Sequence, residues 1–201
     1  MRPGNLYTSN GAEDFLRPIL QNYASQDVLV RADSGFAKPA IYAACEAVGA
    51  KFVIRLKANQ RLRKIAEHLI TVGNQDCAET EIQYHTLRNY RVDSWDKAYT
   101  VIVKSTRQES EFLFRHEFIV SNLEKTFPQD VYQLYQQCGT MEDLIKEVKA
   151  GFFFNKTDSS TFVANHFRML LSGVAYNLIQ AMKMLILPAK LEKNDYFWFA
   201  L

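Results

Sequence analysis

Cysteine is scarce in this chain and histidine nearly so. The 201 residues hold three cysteines, Cys45, Cys77 and Cys138, and four histidines. No Cys-x-x-Cys pair occurs and the histidines are scattered, which argues against a zinc site. Three well-separated thiols fit a reducing cytosol, so a cytoplasmic protein is expected. Long unbroken apolar runs are missing too. The most apolar tract, residues 162–187, is interrupted by Asn165, His166, Arg168, Asn177, Gln180 and Lys183. It reads as a packed helix of a soluble protein rather than a membrane span. The opening MRPGNLYTSN has no apolar core, so no signal peptide is expected there. Charge of one sign is also lacking: 24 Lys and Arg face 22 Asp and Glu, a net +2. Total charge therefore does not force a nucleic-acid partner, although its distribution can. There is no phosphate loop, no dinucleotide fingerprint and no nucleophile elbow, since Ser34 lies in Asp-Ser-Gly. No internal repeat or low-complexity tract is visible.

What is present describes a folded globular chain, with 48% hydrophobic and 23% charged residues. Asn10 and Glu13 suit a capping box for a helix running to about Tyr23, which Pro18 should kink or shorten. DVLVRA (27–32) reads as a strand whose Val-Leu-Val centre suggests burial on both faces. PAIYAACEAVGA follows as a helix with Pro39 near its start and Gly49 at its end. KFVIRL is a second strand, which completes a βαβ unit. A helix over ANQRLRKIAEHLI comes next. Residues 72–126 then turn β-rich: EIQYHTL, YTVIVKS and EFLFRHEFIVSN read as antiparallel strands inserted between α/β parts. Helical patterns return from 129 to 150 and from about 160 to 187.

Three features carry candidate chemistry. In VLVRADSGF, Asp33 sits at the lip of a strand. Asp-Ser-Gly suits a tight turn, and strand ends in open α/β sheets are also where ligands bind. The second feature lies at 129–150, where Val131, Leu134, Cys138, Met141, Ile145 and Val148 recur at helical spacing as a buried seam. One continuous helix would set Tyr135, Glu142, Lys146 and Lys149 in a narrow arc beside that seam. The rival is a break at Gly139 with Thr140 as the new cap. Glu142 beside two lysines suits a metal and phosphate site, or equally an ordinary Glu–Lys surface pair. Cys138, on the seam, reads as a small buried hydrophobe rather than a nucleophile. The third feature is KFVIRLKANQRLRK (51–64), which holds Lys51, Arg55, Lys57, Arg61, Arg63 and Lys64 and no acid. Such a cluster suits DNA phosphates, or simply faces water.

Together these pieces resemble the DDE transposases of bacterial insertion sequences, enzymes of DNA transposition and recombination with a ribonuclease H-like catalytic core. MRPGNLYTSNGAEDFLRPIL is similar to the segment before that family's second catalytic acid. RADSGFAKPAIYAACEAVGAKFVIRLKANQRL is similar to the second-acid segment itself. SWDK (94–97) and FIVSNL (118–123) fall in its inserted β region, and FVANHFRMLLSGVAYNL resembles its closing helix. The family's helix motif, Tyr-x2-Arg-x3-Glu-x6-Lys, reads here as Tyr135, Cys138, Glu142 and Lys149.

The resemblance implies an α/β, partial ribonuclease H-like fold with an inserted antiparallel β region and C-terminal helices. It implies Mg²⁺ (or Mn²⁺) held by Asp33 and Glu142, and two-metal phosphoryl transfer on transposon-end DNA. Tyr135 and Lys149 would position the phosphodiester. Two departures stand out. The family's leading Asp lies on an earlier strand, and no residue here fills that role. Cys138 replaces the motif's Arg, and a thiol cannot make a guanidinium's charged, bidentate contact. The expectation is a single truncated catalytic domain, 1–201, inert in strand cleavage alone. It would lie in the cytoplasm with the nucleoid and associate with itself or with a full-length transposase. The alternative is a non-catalytic DNA-binding or dimerisation fragment that modulates such an enzyme.

Overall fold

The computed structural model describes residues 9–71, 79–136 and 138–186, with the side chains of 138–142 outside that description. The chain divides into two compact units, Asn5–Cys138 and Gly139–Leu201 with Met1–Gly4.

In the larger unit α1 (Ala12–Asn22) is followed by β1 (Leu29–Ala32), a single 3-10 turn at Ser34–Phe36, α2 (Pro39–Glu46) and β2 (Lys51–Leu56). Then come α3 (Gln60–Leu69), β3 (Glu81–Tyr90), β4 (Tyr99–Arg107), β5 (Arg115–Ser121) and α4 (Pro128–Gln136). The five strands form one mixed sheet in the order β1-β2-β5-β4-β3. β1 and β2 are parallel, as the βαβ reading requires, and the remaining pairs are antiparallel. The β-rich segment is thus no separate layer. β5 pairs with β2 and extends the sheet from there. This is a mixed α/β architecture consistent with a ribonuclease H-like fold.

Local chemistry accounts for the element ends. Pro39 opens α2, where its missing N–H would have no partner anyway. Gly49 takes φ +74°, and the Ala50 amide returns to the Cys45 carbonyl at 2.9 Å. The Asn59 side chain caps α3 by accepting from the Leu62 amide at 2.7 Å. Asn10 does not cap α1: Gly11, with φ +64°, takes that position, and the helix continues through Pro18.

Each face of the sheet carries its own core. On one face α1, α2 and α3 bury Leu20, Ile41, Tyr42, Cys45, Leu62 and Ala66 against Phe52, Ile54, Val101, Val103, Phe118 and Val120. Here Tyr42 stacks on Phe52 at 5.0 Å between ring centroids, and Tyr99 and Trp95 pack edge-on around them. Burial pushes the Cys45 thiol up to about 12, so it carries no thiolate at neutral pH. On the other face α4 lays Val131 and Tyr132 onto Val53, Ile102 and Ile119.

One sequence expectation is met only in part. β1 packs on both faces, Val30 and Ala32 on one and Leu29 on the other, but all four of its residues are partly exposed. Among the described strands it borders only β2. Across 129–150 the chain is helical as α4 to Gln136 and as α5 (Cys138–Phe152) from Cys138, with residue 137 outside the described residues; Gly139 lies inside α5, so the rival break at Gly139 is not seen. Val131 is buried under the sheet and Leu134 half-buried, but Ile145 is 47% exposed. Val148 is again half-buried. Cys138 and Met141 fall outside the described side chains.

The smaller unit comprises α5 and α6 (Phe162–Ile186). Its internal contacts include an edge-on packing of the Phe152 and Tyr176 rings at 5.5 Å and a set of polar contacts. Glu147 on α5 accepts from Tyr176 Oη at 3.2 Å, Gln180 Nε2 at 3.4 Å and Lys183 Nζ at 3.0 Å on α6. Asn165 holds the Ser159 amide and carbonyl, and Arg168 pairs with Asp158 at 3.0 Å. These α6 residues form one stripe at helical spacing. The apolar side chains lie elsewhere: Phe167, Leu170, Leu171, Val174 and Leu178 are exposed. α6 is therefore not the packed helix its composition suggested. By length and composition alone it is long and apolar enough to cross a membrane.

Candidate functional site

The α4 face of the sheet, at the C-terminal end of β1, carries Arg31, Arg55 and Glu117. Side chains alternate along β1. Val30 and Ala32 join the α1–α3 core, while Leu29 packs on the α4 face. Arg31 points the same way as Leu29 and donates to the Leu134 carbonyl of α4 at 3.0 Å. Asp33 has extended backbone (φ −76°, ψ 178°), so the alternation continues and assigns it to the α4 face.

The turn reading of Asp-Ser-Gly is correct as far as it goes. Asp33 Oδ1 accepts from the Gly35 amide at 2.8 Å and caps the 3-10 turn. A Cβ at residue 35 would stand 3.0 Å from that oxygen, so glycine leaves the carboxylate its room. Asp33 itself is exposed. Turn and ligand are thus compatible roles: one oxygen fixes the turn, and the group remains accessible at the sheet's lip.

Register places Asp33 beside Arg55. Ala32 pairs with Ile54, so the next residue on each strand is Asp33 and Arg55. Arg55 Nη2 donates to Glu117 Oε1 on β5 at 2.7 Å. Glu117 Oε2 accepts from the Tyr132 hydroxyl on α4. Lys104, directly across from Glu117 in the β4–β5 register, stands with Nζ 4.3 Å from the centroid of the Tyr132 ring. Tyr135, partly buried one turn further along α4, has its ring 6.4 Å from that of Tyr132. Burial and the neighbouring Glu117 both raise the Tyr132 phenol, which keeps it a donor.

The basic stretch 51–64 does not form one patch. Lys51 opens β2, at the end of the strand remote from Asp33. Arg55 and Lys57 are exposed at the Asp33 end. Arg61, Arg63 and Lys64 are exposed on α3, which packs on the opposite face through Leu62 and Ala66. Arg61 also lies over the Tyr90 ring at 5.5 Å and donates to the Arg91 carbonyl at 3.5 Å.

The remaining expected residues sit on α5, in the smaller unit. The Glu142 side chain lies outside the described residues. Lys146 pairs with Asp143 at 3.4 Å, and Lys149 is exposed in the last turn. Tyr135 is on α4 and Glu142, Lys146 and Lys149 are on α5, with residue 137 between the two helices outside the described residues. Glu117, Tyr132 and Lys104 were missed. None stands out among the polar residues of its own strand or helix, and only the pairing of β2 with β5 brings Glu117 to Arg55. Period-2 alternation would have put Glu117 on the face of Ile119, but nothing local named its partner.

The Asp33 carboxylate is a hard oxygen donor, as Mg²⁺ or Mn²⁺ requires. Among the described residues no three His, Cys, Asp or Glu side chains gather into a metal cluster. Among the described residues of the larger unit, this sheet end offers the exposed carboxylate of Asp33 and, beside it, the Glu117 carboxylate held by Arg55 and Tyr132.

Comparison with known families agrees with the segment-by-segment resemblance. The family model described as "Transposase DDE domain group 1" matches residues 1–196. No match to a curated protein was found.

Proposed function

Since the chain belongs to the DDE transposase domain family, whose members act on DNA and generally use a divalent metal, we propose that its cationic sheet end is a transposon-DNA contact surface built around Asp33. The observation that carries this reading is the placement of Asp33 at a strand's C-terminal lip, level with Arg55 and on the face that α4 and Tyr135 cover. Ligand sites of open α/β sheets form at such strand ends.

Asp33 and Glu142 would hold Mg²⁺ or Mn²⁺, and the bound ion would supply Lewis-acid stabilisation of charge at the scissile phosphate. Arg55, Lys57, Arg63 and Lys64 would contact backbone phosphates. Arg61, already engaged with Tyr90, contributes less. Tyr135, Lys146 and Lys149 would position the DNA end. Cys138 stands where the family's pattern has Arg, which removes one charged phosphate contact. No residue of this sequence matches the family's leading Asp. The 1–201 polypeptide is accordingly proposed to bind DNA, as itself or with a full-length transposase, without cutting it.

In a gel-shift assay the polypeptide is expected to retard a DNA duplex in EDTA. With Mg²⁺ or Mn²⁺ added, no nicked product should accumulate. Cleavage that disappears with Asp33→Asn would overturn the proposed inertness while supporting the Asp33 site. Failure to retard DNA at low salt would remove the binding surface itself.

A further inference from the structure

Glu117 is an acid placed where a DNA-binding surface gains nothing from negative charge, so its presence calls for a reason. Its two oxygens have different partners. Oε1 takes Arg55 of β2 at 2.7 Å, and Oε2 takes the hydroxyl of Tyr132 on α4. Tyr132 is 6% exposed and packs against Val53, Ile102 and Ile119, so α4 is pinned at that point. Tyr135 follows on the same helix, and Arg31 fixes the adjacent Leu134 carbonyl from β1 at 3.0 Å. One carboxylate therefore links the strand that carries Arg55 to the helix that carries Tyr135.

Resting on the DNA-contact reading above, we propose that Glu117 is a positioning residue: with Tyr132 it orients the Arg55 guanidinium and the Tyr135-bearing helix toward a single DNA phosphate track. The chemistry suits this role. A guanidinium has five N–H donors in a fixed fork, so a carboxylate can hold one edge while others face a phosphate. An arginine already held loses less side-chain entropy when DNA arrives. The raised Tyr132 phenol stays protonated and keeps donating to Glu117 across the neutral pH range. Lys104, opposite Glu117 and over the Tyr132 ring, offsets the acid's charge.

The role can be told from a bystander acid by sign. Removing an idle carboxylate beside a phosphate site tightens DNA binding, whereas removing a positioning one weakens it. Fluorescence anisotropy of the 1–201 polypeptide on a short mixed-sequence duplex, in EDTA at fixed salt, measures the difference. Glu117→Gln is expected to weaken binding about threefold to fivefold, the scale of a partly exposed ion pair. Tyr132→Phe, which deletes one oxygen and keeps the packed ring, is expected to act in the same direction. In an Arg55→Ala background Glu117→Gln should have little further effect, because its main client is gone. Tighter or unchanged binding by Glu117→Gln overturns the proposal, as does an equal loss in both backgrounds, which would mark a general folding defect. Arg55→Ala without effect would remove the DNA-contact reading as well. Arg55→Ala weakened with Glu117→Gln tighter would remove only the positioning role.

Discussion

Phe52→Ala is expected to destabilise the larger unit by roughly 3–5 kcal/mol, the range for truncating a buried aromatic ring. Phe52 is fully buried and stacks on Tyr42 with ring planes 9° apart. Tyr99 packs edge-on against it at 5.6 Å. Its backbone is fixed as well: the amide donates to Asn122 Oδ1 at 2.8 Å, and the carbonyl accepts from Ser121 Oγ at 2.8 Å. A cavity there cannot close by moving the strand, because β2 is tied to β5 on one side and β1 on the other. Urea titration followed by near-ultraviolet circular dichroism reads the loss, since the affected rings belong to one nest. A shift below about 1 kcal/mol would mean the nest collapses freely, contrary to its packing.

The importance of Phe52 was only partly legible in the sequence. KFVIRL announces a strand, and DVLVRA with PAIYAACEAVGA announces the βαβ unit that holds it. Which strand borders which was not legible. The Val-Leu-Val centre of β1 suggested burial on both faces, yet how deeply a strand is covered is a tertiary property, and all four β1 residues are partly exposed. Spacings of three and four residues made helix legible on both sides of residue 137, but which seam positions are buried was not legible: Val131 is buried and Ile145 is exposed. Asp33 was legible because a strand, an acid and a turn-forming pair are adjacent in sequence. Glu117 was not, because its partner Arg55 is 62 residues away. α6 misled in another way: its scattered polar residues looked like tolerated interruptions in a buried helix. Gln180 and Lys183 instead meet Glu147 of α5, Asn165 and Arg168 meet Ser159 and Asp158, and many of the large apolar side chains are exposed.

The second large effect concerns charge. Replacing Arg55, Lys57, Arg63 and Lys64 together by alanine is expected to reduce the salt slope of DNA binding by about 3 to 4, near 0.9 for each lost phosphate contact. Affinity at about 0.1 M salt should fall by more than a hundredfold. Arg61→Ala should alter the slope least of the five, because that guanidinium already has the Tyr90 ring and the Arg91 carbonyl. The single changes also test the geometry. Arg55 and Lys57 stand at the Asp33 lip, while Arg63 and Lys64 ride on α3 on the opposite face of the sheet. If DNA wraps the sheet end, all four reduce the slope. If only the two strand residues do so, the duplex lies on the α4 side alone. A slope unchanged by the fourfold change would place the DNA elsewhere.

In the proposed reading, Asp33 and Glu142 would share one divalent cation. Iron-directed cleavage tests it most directly. Fe²⁺ is loaded in place of Mg²⁺, ascorbate and peroxide are added, and the polypeptide is cut where the ion sits. A shared ion predicts backbone cuts beside residue 33 and beside residue 142, both suppressed by excess Mn²⁺ and both lost in Asp33→Asn. Cuts at only one of the two places, or cuts near residue 142 that survive Asp33→Asn, would contradict it.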